Sequence, residues 1–162
     1  MKEENQDKSK GFLRIQHINP EPIGIYTIPI ERHLRYKEAI WSVWREGGED
    51  ILQVSTPNSK HLCNGSEQNL FKSFPELIEL QNELTRLLLD YIEHLGYLCD
   101  EIVINSAWLN HSQEKSNLPF HSHTNSFISA NYFVNFIPSK HSALNFRNDR
   151  AIEVTPSNFP TF

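Results

Sequence analysis

The sequence predicts an α+β domain in which helices support an antiparallel sheet, and three observations predict it. An apolar stripe recurs at three- and four-residue steps from Leu77 to Leu95. From Glu101 onward the pattern changes to period two. Two short runs rich in β-branched and aromatic residues precede the first helical segment. Helices in the first half and strands in the second are the order expected of an α+β fold.

Residues 1–10 are charged and polar throughout, cannot bury anything, and are expected to form a disordered tail. Strands are expected over Phe12–His17 and Ile23–Ile30, the second bracketed by Pro22 and ended by Pro29. A helix follows from Glu31 to Trp44, with Leu34, Ile40, Trp41 and Trp44 on one face and Gly47-Gly48 at its end. The two indoles read as core, because they bury large apolar areas. Ile51 to Leu70 is expected to be a long loop with one short strand, its turns supplied by Thr56-Pro57-Asn58-Ser59-Lys60 and Asn64-Gly65-Ser66.

The clearest helix starts with Ser73 as N-cap, Pro75 in the first turn and Glu76 at the capping-box position. Leu77, Leu80, Leu84, Leu87, Leu88, Tyr91 and Leu95 form its apolar face, and Gly96 stops it. Strands are then expected over Glu101–Asn110, Pro119–Thr124 and Phe127–Phe136, with another beginning at Ala143. A polar loop from His111 to Asn117 and a turn at Pro138–His141 join them.

At 162 residues, 38% of them apolar and 11% aromatic, the chain can build one core, and residues 11–162 are expected to be a single domain. Its net charge of −5 and scattered Lys and Arg exclude the basic stripe that neutralises phosphates, so no duplex nucleic acid is expected as a partner. No apolar run is long enough to cross a bilayer, and the charged N-terminus is no signal peptide, so no membrane partner is expected. Cys63 and Cys99 have neither zinc-site nor disulfide spacing and read as free thiols in a reducing, cytoplasmic compartment. Asn64-Gly65-Ser66 and Asn110-His111-Ser112 match the glycosylation sequon, an accidental match without secretion.

The chemistry centres on His121 and His123. Side chains alternate across a strand, so two histidines at i and i+2 point the same way and offer two imidazoles to one metal ion. A binuclear zinc hydrolase needs His-x-His-x-Asp-His, but Asn125 and Ser126 stand at the positions of the second metal's ligands. An amidohydrolase barrel needs far more chain after its His-x-His than remains here. A facial triad of an iron enzyme, with two ligands on one strand and a histidine on a later one, fits better.

From Asn69 onward the chain resembles a family of 2-oxoglutarate and Fe(II)-dependent oxygenases of marine bacteria and their phages. That family has Trp and Asn before a polar loop, then His-x-His, Asn-Ser, an aliphatic-Ser-Gly-x-Tyr-Tyr strand and an Asp-Pro-Arg-like turn. Here Trp108 and Asn110, His121 and His123, Asn125-Ser126-Phe127, Ser129 and Tyr132, and Asn148-Asp149-Arg150 stand in that order. Ala130 and Phe133 replace a Gly and a Tyr of the pattern, and the final turn lacks its proline.

The resemblance implies a double-stranded β-helix (jelly-roll, cupin-like) core with supporting N-terminal helices. It also implies Fe(II) and 2-oxoglutarate as cofactors, and a hydroxylase acting on a small molecule or peptide. His121 is then the first metal ligand, and His123 stands where most relatives of the fold carry a carboxylate. Asn110, Asn125, Tyr132 and Arg150 are the cosubstrate-binding candidates. Asn131 and Arg147 are weaker ones, and Trp108 reads as packing. The family's distal histidine and arginine lie on strands that would follow Phe162, so the jelly-roll is expected to be incomplete here. His141, the one histidine downstream, reads as the tip of a solvated hairpin. Two other readings stay open: a cupin-like metalloprotein that does not use 2-oxoglutarate, and an inactive binding module.

Overall fold

A computed structural model describes residues 12–18, 21–47, 52–56, 58–62, 69–116, 119–121, 123, 126–137, 139–141 and 144–146. Strands β1 (Phe12–Ile18) and β2 (Glu21–Thr27) pair antiparallel as a hairpin. Gly24 of β2 lies against α3 (Ile78–His94), where an added Cβ would come within 2.8 Å of the Tyr91 ring. The Tyr91 hydroxyl donates to the Pro22 carbonyl at 2.8 Å, so the hairpin is keyed to the helix by a close approach and a hydrogen bond.

Helix α1 (Ile30–Glu46) begins after Pro29, whose carbonyl accepts from His33 N–H, and ends at Gly47, whose N–H bonds Val43. Its buried face is Tyr36, Ile40 and Val43. The face expected from the sequence is rotated: Leu34 is 57% exposed, while Trp41 and Trp44 stand beside the core and pack on His111. The core itself gathers Tyr36, Ile40, Val43, Leu62, Leu70, Leu77 and Leu80, with Leu84, Leu109, Tyr132 and Val134 against it.

The stretch expected to be a loop between Ile51 and Leu70 contains a hairpin instead, β3 (Leu52–Thr56) and β4 (Ser59–Leu62). Asn58 makes the turn at φ 61°, a conformation Asn tolerates better than most residues. β5 (Leu109–Ser112) adds to β4, giving a three-stranded antiparallel sheet in the order β3-β4-β5.

The long helix also starts differently from expectation. Asn69, not Ser73, is the cap: its Oδ1 accepts from Phe71 N–H at the start of the short α2 (Leu70–Ser73). Pro75 then opens a 3-10 turn, Pro75–Leu77, leading into α3. Gly96 ends α3 as expected, at φ 81°; its N–H bonds Glu93 and the following Tyr97 N–H bonds Ile92, the Schellman arrangement.

The strand expected over Glu101–Asn110 is a ladder only from Leu109 on. Residues 101–106 do alternate between exposed and half-buried, so the period-two signal is real. Their partner is a helix cap rather than a strand: Asn69 Nδ2 donates to the Ile104 carbonyl at 2.7 Å, and Leu70 N–H donates to the Ala107 carbonyl.

Described residues 119–121, 123 and 127–136 likewise form no ladder, although Tyr132 and Val134 turn inward to the core. Alternation records which side chains face the protein; a strand also needs a neighbouring backbone, and the described residues supply none here. The described strands thus make two small antiparallel sheets beside three helices, and they do not display a jelly-roll. Residues 1–10, the expected tail, lie outside the described residues, as do Cys63, Asn125, Arg147 and Arg150. Among the described residues no helix is long and apolar enough to cross a membrane.

Candidate metal centre

Pairing of β4 with β5 sets Leu62 opposite Leu109 and His61 opposite Asn110. Leu62 is fully buried and Leu109 packs on the core, so alternation turns His61 and Asn110 to the face that α1 does not cover. Trp108 joins them there, its indole tilted over the His61 ring at 5.9 Å. His61 Nδ1 meets Asn110 Oδ1 at 2.8 Å; amide oxygen accepts, so Nδ1 donates, and the Asn110 Nδ2 hydrogens remain as donors. The opposite face is aromatic too: His111 of β5 packs between Trp41 and Trp44 of α1.

Against the uncovered face stands the histidine pair. The edge of Trp108 meets the His123 ring at 5.3 Å, and the rings of His121 and His123 lie 5.0 Å apart with Nε2 to Nε2 at 3.1 Å. His121 Nδ1 sits 2.9 Å from the Pro119 carbonyl, which can only accept, so Nδ1 carries the proton and the neutral ring keeps its lone pair on Nε2. His123 Nδ1 lies 3.0 Å from Ser129 Oγ. A hydroxyl both donates and accepts, so Ser129 matches either tautomer of His123.

These positions fit two ligands of one ion. Nitrogens 3.1 Å apart, each about 2.1 Å from a metal, subtend about 95° at it, close to adjacent octahedral positions; a tetrahedral pair would stand about 3.4 Å apart. An outer hydrogen bond on each Nδ1 is the arrangement that orients metal-bound imidazoles. Among the described residues no group of three or more His, Cys, Asp or Glu side chains converges on one point, so the pair provides two donors and the described residues no third.

The other candidates are dispersed. Tyr132 packs against α1, where its hydroxyl meets His33 Nδ1 at 2.7 Å and the rings meet edge-on. Burial, reinforced by nearby Tyr36, pushes the Tyr132 hydroxyl up to about 12, so it stays protonated and donates to His33. Asn131 is exposed. His141 closes the turn after Ile137, accepting that residue's N–H on Nδ1 at 2.9 Å. His61 was not among the residues singled out by sequence. Its signal exists only in the pairing, because nothing local distinguishes a histidine in Ser59-Lys60-His61-Leu62.

A second polar cluster ties helices and hairpin together. Glu83 of α3 is buried and accepts from Tyr26 at 2.9 Å and from Arg32, whose closer contact is 2.7 Å; Arg86 approaches at 3.3 Å. Burial, then the hydrogen bond to Glu83, raises the Tyr26 hydroxyl above its ordinary value. A shallow groove of about 250 Å³ between α1 and α3, lined by Arg35, Tyr36, Ala39, Glu76, Ile78 and Glu79, lies away from the histidines in the fold.

Comparison with protein-family models, with curated proteins and with solved structures returned no match to this chain.

Proposed function

We propose that this chain is an Fe(II)- and 2-oxoglutarate-dependent oxygenase, a cytoplasmic hydroxylase on a double-stranded β-helix scaffold, with His121 and His123 as two of its metal ligands. The observation that carries this is the approach of the two Nε2 atoms to 3.1 Å with each Nδ1 held by an outer oxygen. Imidazole pairs suit several divalent metals, and the preference for iron comes from the likeness to the oxygenase pattern quoted above. When bound, Fe(II) with 2-oxoglutarate supplies oxidative decarboxylation to succinate and carbon dioxide, coupled to oxygen insertion into a substrate C–H bond.

The chain's own residues then have distinct tasks. His121 and His123 would hold the ion as two of its protein ligands, with cosubstrate and dioxygen binding beside them. Ser129 accepts the His123 Nδ1 proton and thereby keeps the Nε2 lone pair on the metal side. Asn110 offers its Nδ2 hydrogens to a carboxylate, its oxygen being occupied by His61. Asn125 and Arg150 are assigned to the same cosubstrate, Arg150 as a two-pronged carboxylate partner. Tyr132 joins them by exchanging the His33 nitrogen for a carboxylate oxygen, since both accept one O–H.

Anaerobic titration with Fe(II), followed by 2-oxoglutarate, tests the proposal. Uptake of one ion and then cosubstrate, with both lost in His121→Ala, is the expected result; metal uptake unchanged in that variant would sink it. A metal centre that does not use 2-oxoglutarate is the second reading, favoured by the engagement of Tyr132 with His33. Metal binding without any 2-oxoglutarate binding in the same titration selects it.

A further inference from the structure

The histidine pair lies where no ladder fixes the backbone, so its ring directions must be set by side-chain contacts. A ladder would align i and i+2 by itself; among the described residues around His121 and His123 none exists. Among the described residues outside the pair itself, His121 is hydrogen-bonded to its own segment, through Pro119, and His123 to Ser129. Neither tie anchors the pair to the sheet. The contact that does is Trp108, whose indole meets His123 at 5.3 Å with the planes at 70°.

Trp108 is itself held from behind. His61 lies tilted against it at 5.9 Å, and His61 is fixed by Asn110 on the neighbouring strand at 2.8 Å. Trp108 also immediately precedes Leu109, whose side chain packs on the core from the other face of the sheet. A chain of contacts therefore runs from the β4–β5 ladder through the His61–Asn110 hydrogen bond and the indole to the His123 ring.

We propose that Trp108, backed by His61 and Asn110, is a positioning residue that holds His123 so that its Nε2 faces His121 Nε2 at ligand spacing. This rests on the metal reading above and adds to it the element that builds the site. Trp108 does not touch the ion; it acts through His123. The indole also becomes a reporter, because Trp41 and Trp44 contact His111 on the other face of the sheet while Trp108 alone contacts the pair.

The experiment is cobalt(II) titration of the full chain, read by calorimetry, by the cobalt ligand-field spectrum and by quenching of tryptophan fluorescence. The parent chain is expected to bind cobalt with partial quenching, and His123→Ala to lose both. Trp108→Ala is expected to weaken cobalt by about 10- to 100-fold, the usual loss when an outer partner of a metal-bound histidine is removed. Trp108→Phe restores affinity through its ring while abolishing the quenching, an outcome that a merely space-filling role shared with Trp108→Leu does not produce. His61→Ala keeps the indole and removes only the ring behind it, and is expected to weaken cobalt by a smaller factor, which keeps the test open should Trp108→Ala fail to fold. Cobalt bound by the parent and equally by Trp108→Ala and His61→Ala would overturn the positioning role and leave the metal reading standing. A parent chain that takes up no cobalt, or a His123→Ala chain that takes up as much, would overturn both.

Discussion

Single residues carry more of this structure than their types suggest. Asn69 is 1% exposed, caps α2 through Oδ1 and holds the Ile104 carbonyl through Nδ2, so one side chain joins the helices to the extended run that leads to Trp108. Asn69→Ala removes the cap and leaves a buried carbonyl unpaired, and is expected to cost about 2 kcal/mol, measured as the shift in urea midpoint. Asn69→Asp keeps the cap but sets a buried carboxylate oxygen against the Ile104 carbonyl, and should cost at least as much as Asn69→Ala. Tyr132 gives a pH signature. Its folded hydroxyl is raised from 10.0 to about 12, so the folded state holds that proton more tightly than the unfolded one. The contribution is complete below pH 10 and is lost as the pH rises through the window to about 12. Tyr26 and Tyr36 are raised in the same direction, mainly by burial, and add to the alkaline loss. Tyr132→Phe is expected to flatten the fall in stability above pH 10, and a urea midpoint that drops just as steeply in that variant would show the reading of Tyr132 to be wrong.

At the level of elements, contacts between them decide what local pattern leaves open. Leu77 in the 3-10 turn and Leu80 and Leu87 on α3 are buried as their spacing indicates, but the same stripe carries Glu83, a charge within an apolar face. Its partners Arg32 and Tyr26, from α1 and β2, are not legible in the sequence, because they come from distant positions. Glu83→Ala removes the carboxylate shared by Arg32, Tyr26 and Arg86; the Arg32 side chain is 24% exposed, and screening at that exposure reduces the usual cost of a broken buried pair to about 2 kcal/mol, to be read from thermal or urea unfolding. The hairpin meets α3 at Gly24, where a Cβ would overlap the Tyr91 ring at 2.8 Å. Gly24→Ala is expected to destabilise by about 1–3 kcal/mol, with Tyr91→Leu relieving part of the loss; additive effects in the double variant would refute the contact. The rotation of α1 has the same origin. Its apolar residues allow more than one stripe, and packing on Leu62, Leu70 and Leu77 selects Tyr36, Ile40 and Val43.

Across the whole molecule, the three-stranded sheet presents two different faces. Helix α1 covers one side with Trp41 and Trp44, and the other side displays His61, Trp108 and Asn110 toward the histidine pair. A paired substitution tests that division: Trp44→Ala is expected to lower stability and leave cobalt affinity unchanged, whereas Ser129→Ala is expected to do the reverse, weakening cobalt by about 10-fold with little loss of stability. Much of this was written in the chain. Helical periods and the Gly96 stop follow from local geometry, because neighbours three or four residues apart on a helix meet whatever the rest of the chain does. The hairpin at β3–β4, the cap at Asn69 and the absence of a ladder along the described part of 127–136 did not follow, because a strand or a cap is completed by a backbone group elsewhere. His61 belongs with these: only the register that sets it opposite Asn110 brings it behind Trp108. By itself the sequence determined which periods shape the elements, and it singled out the two histidines as candidates. The tertiary structure alone decided how they converge, because only contacts from a distant sheet can bring their nitrogens to 3.1 Å.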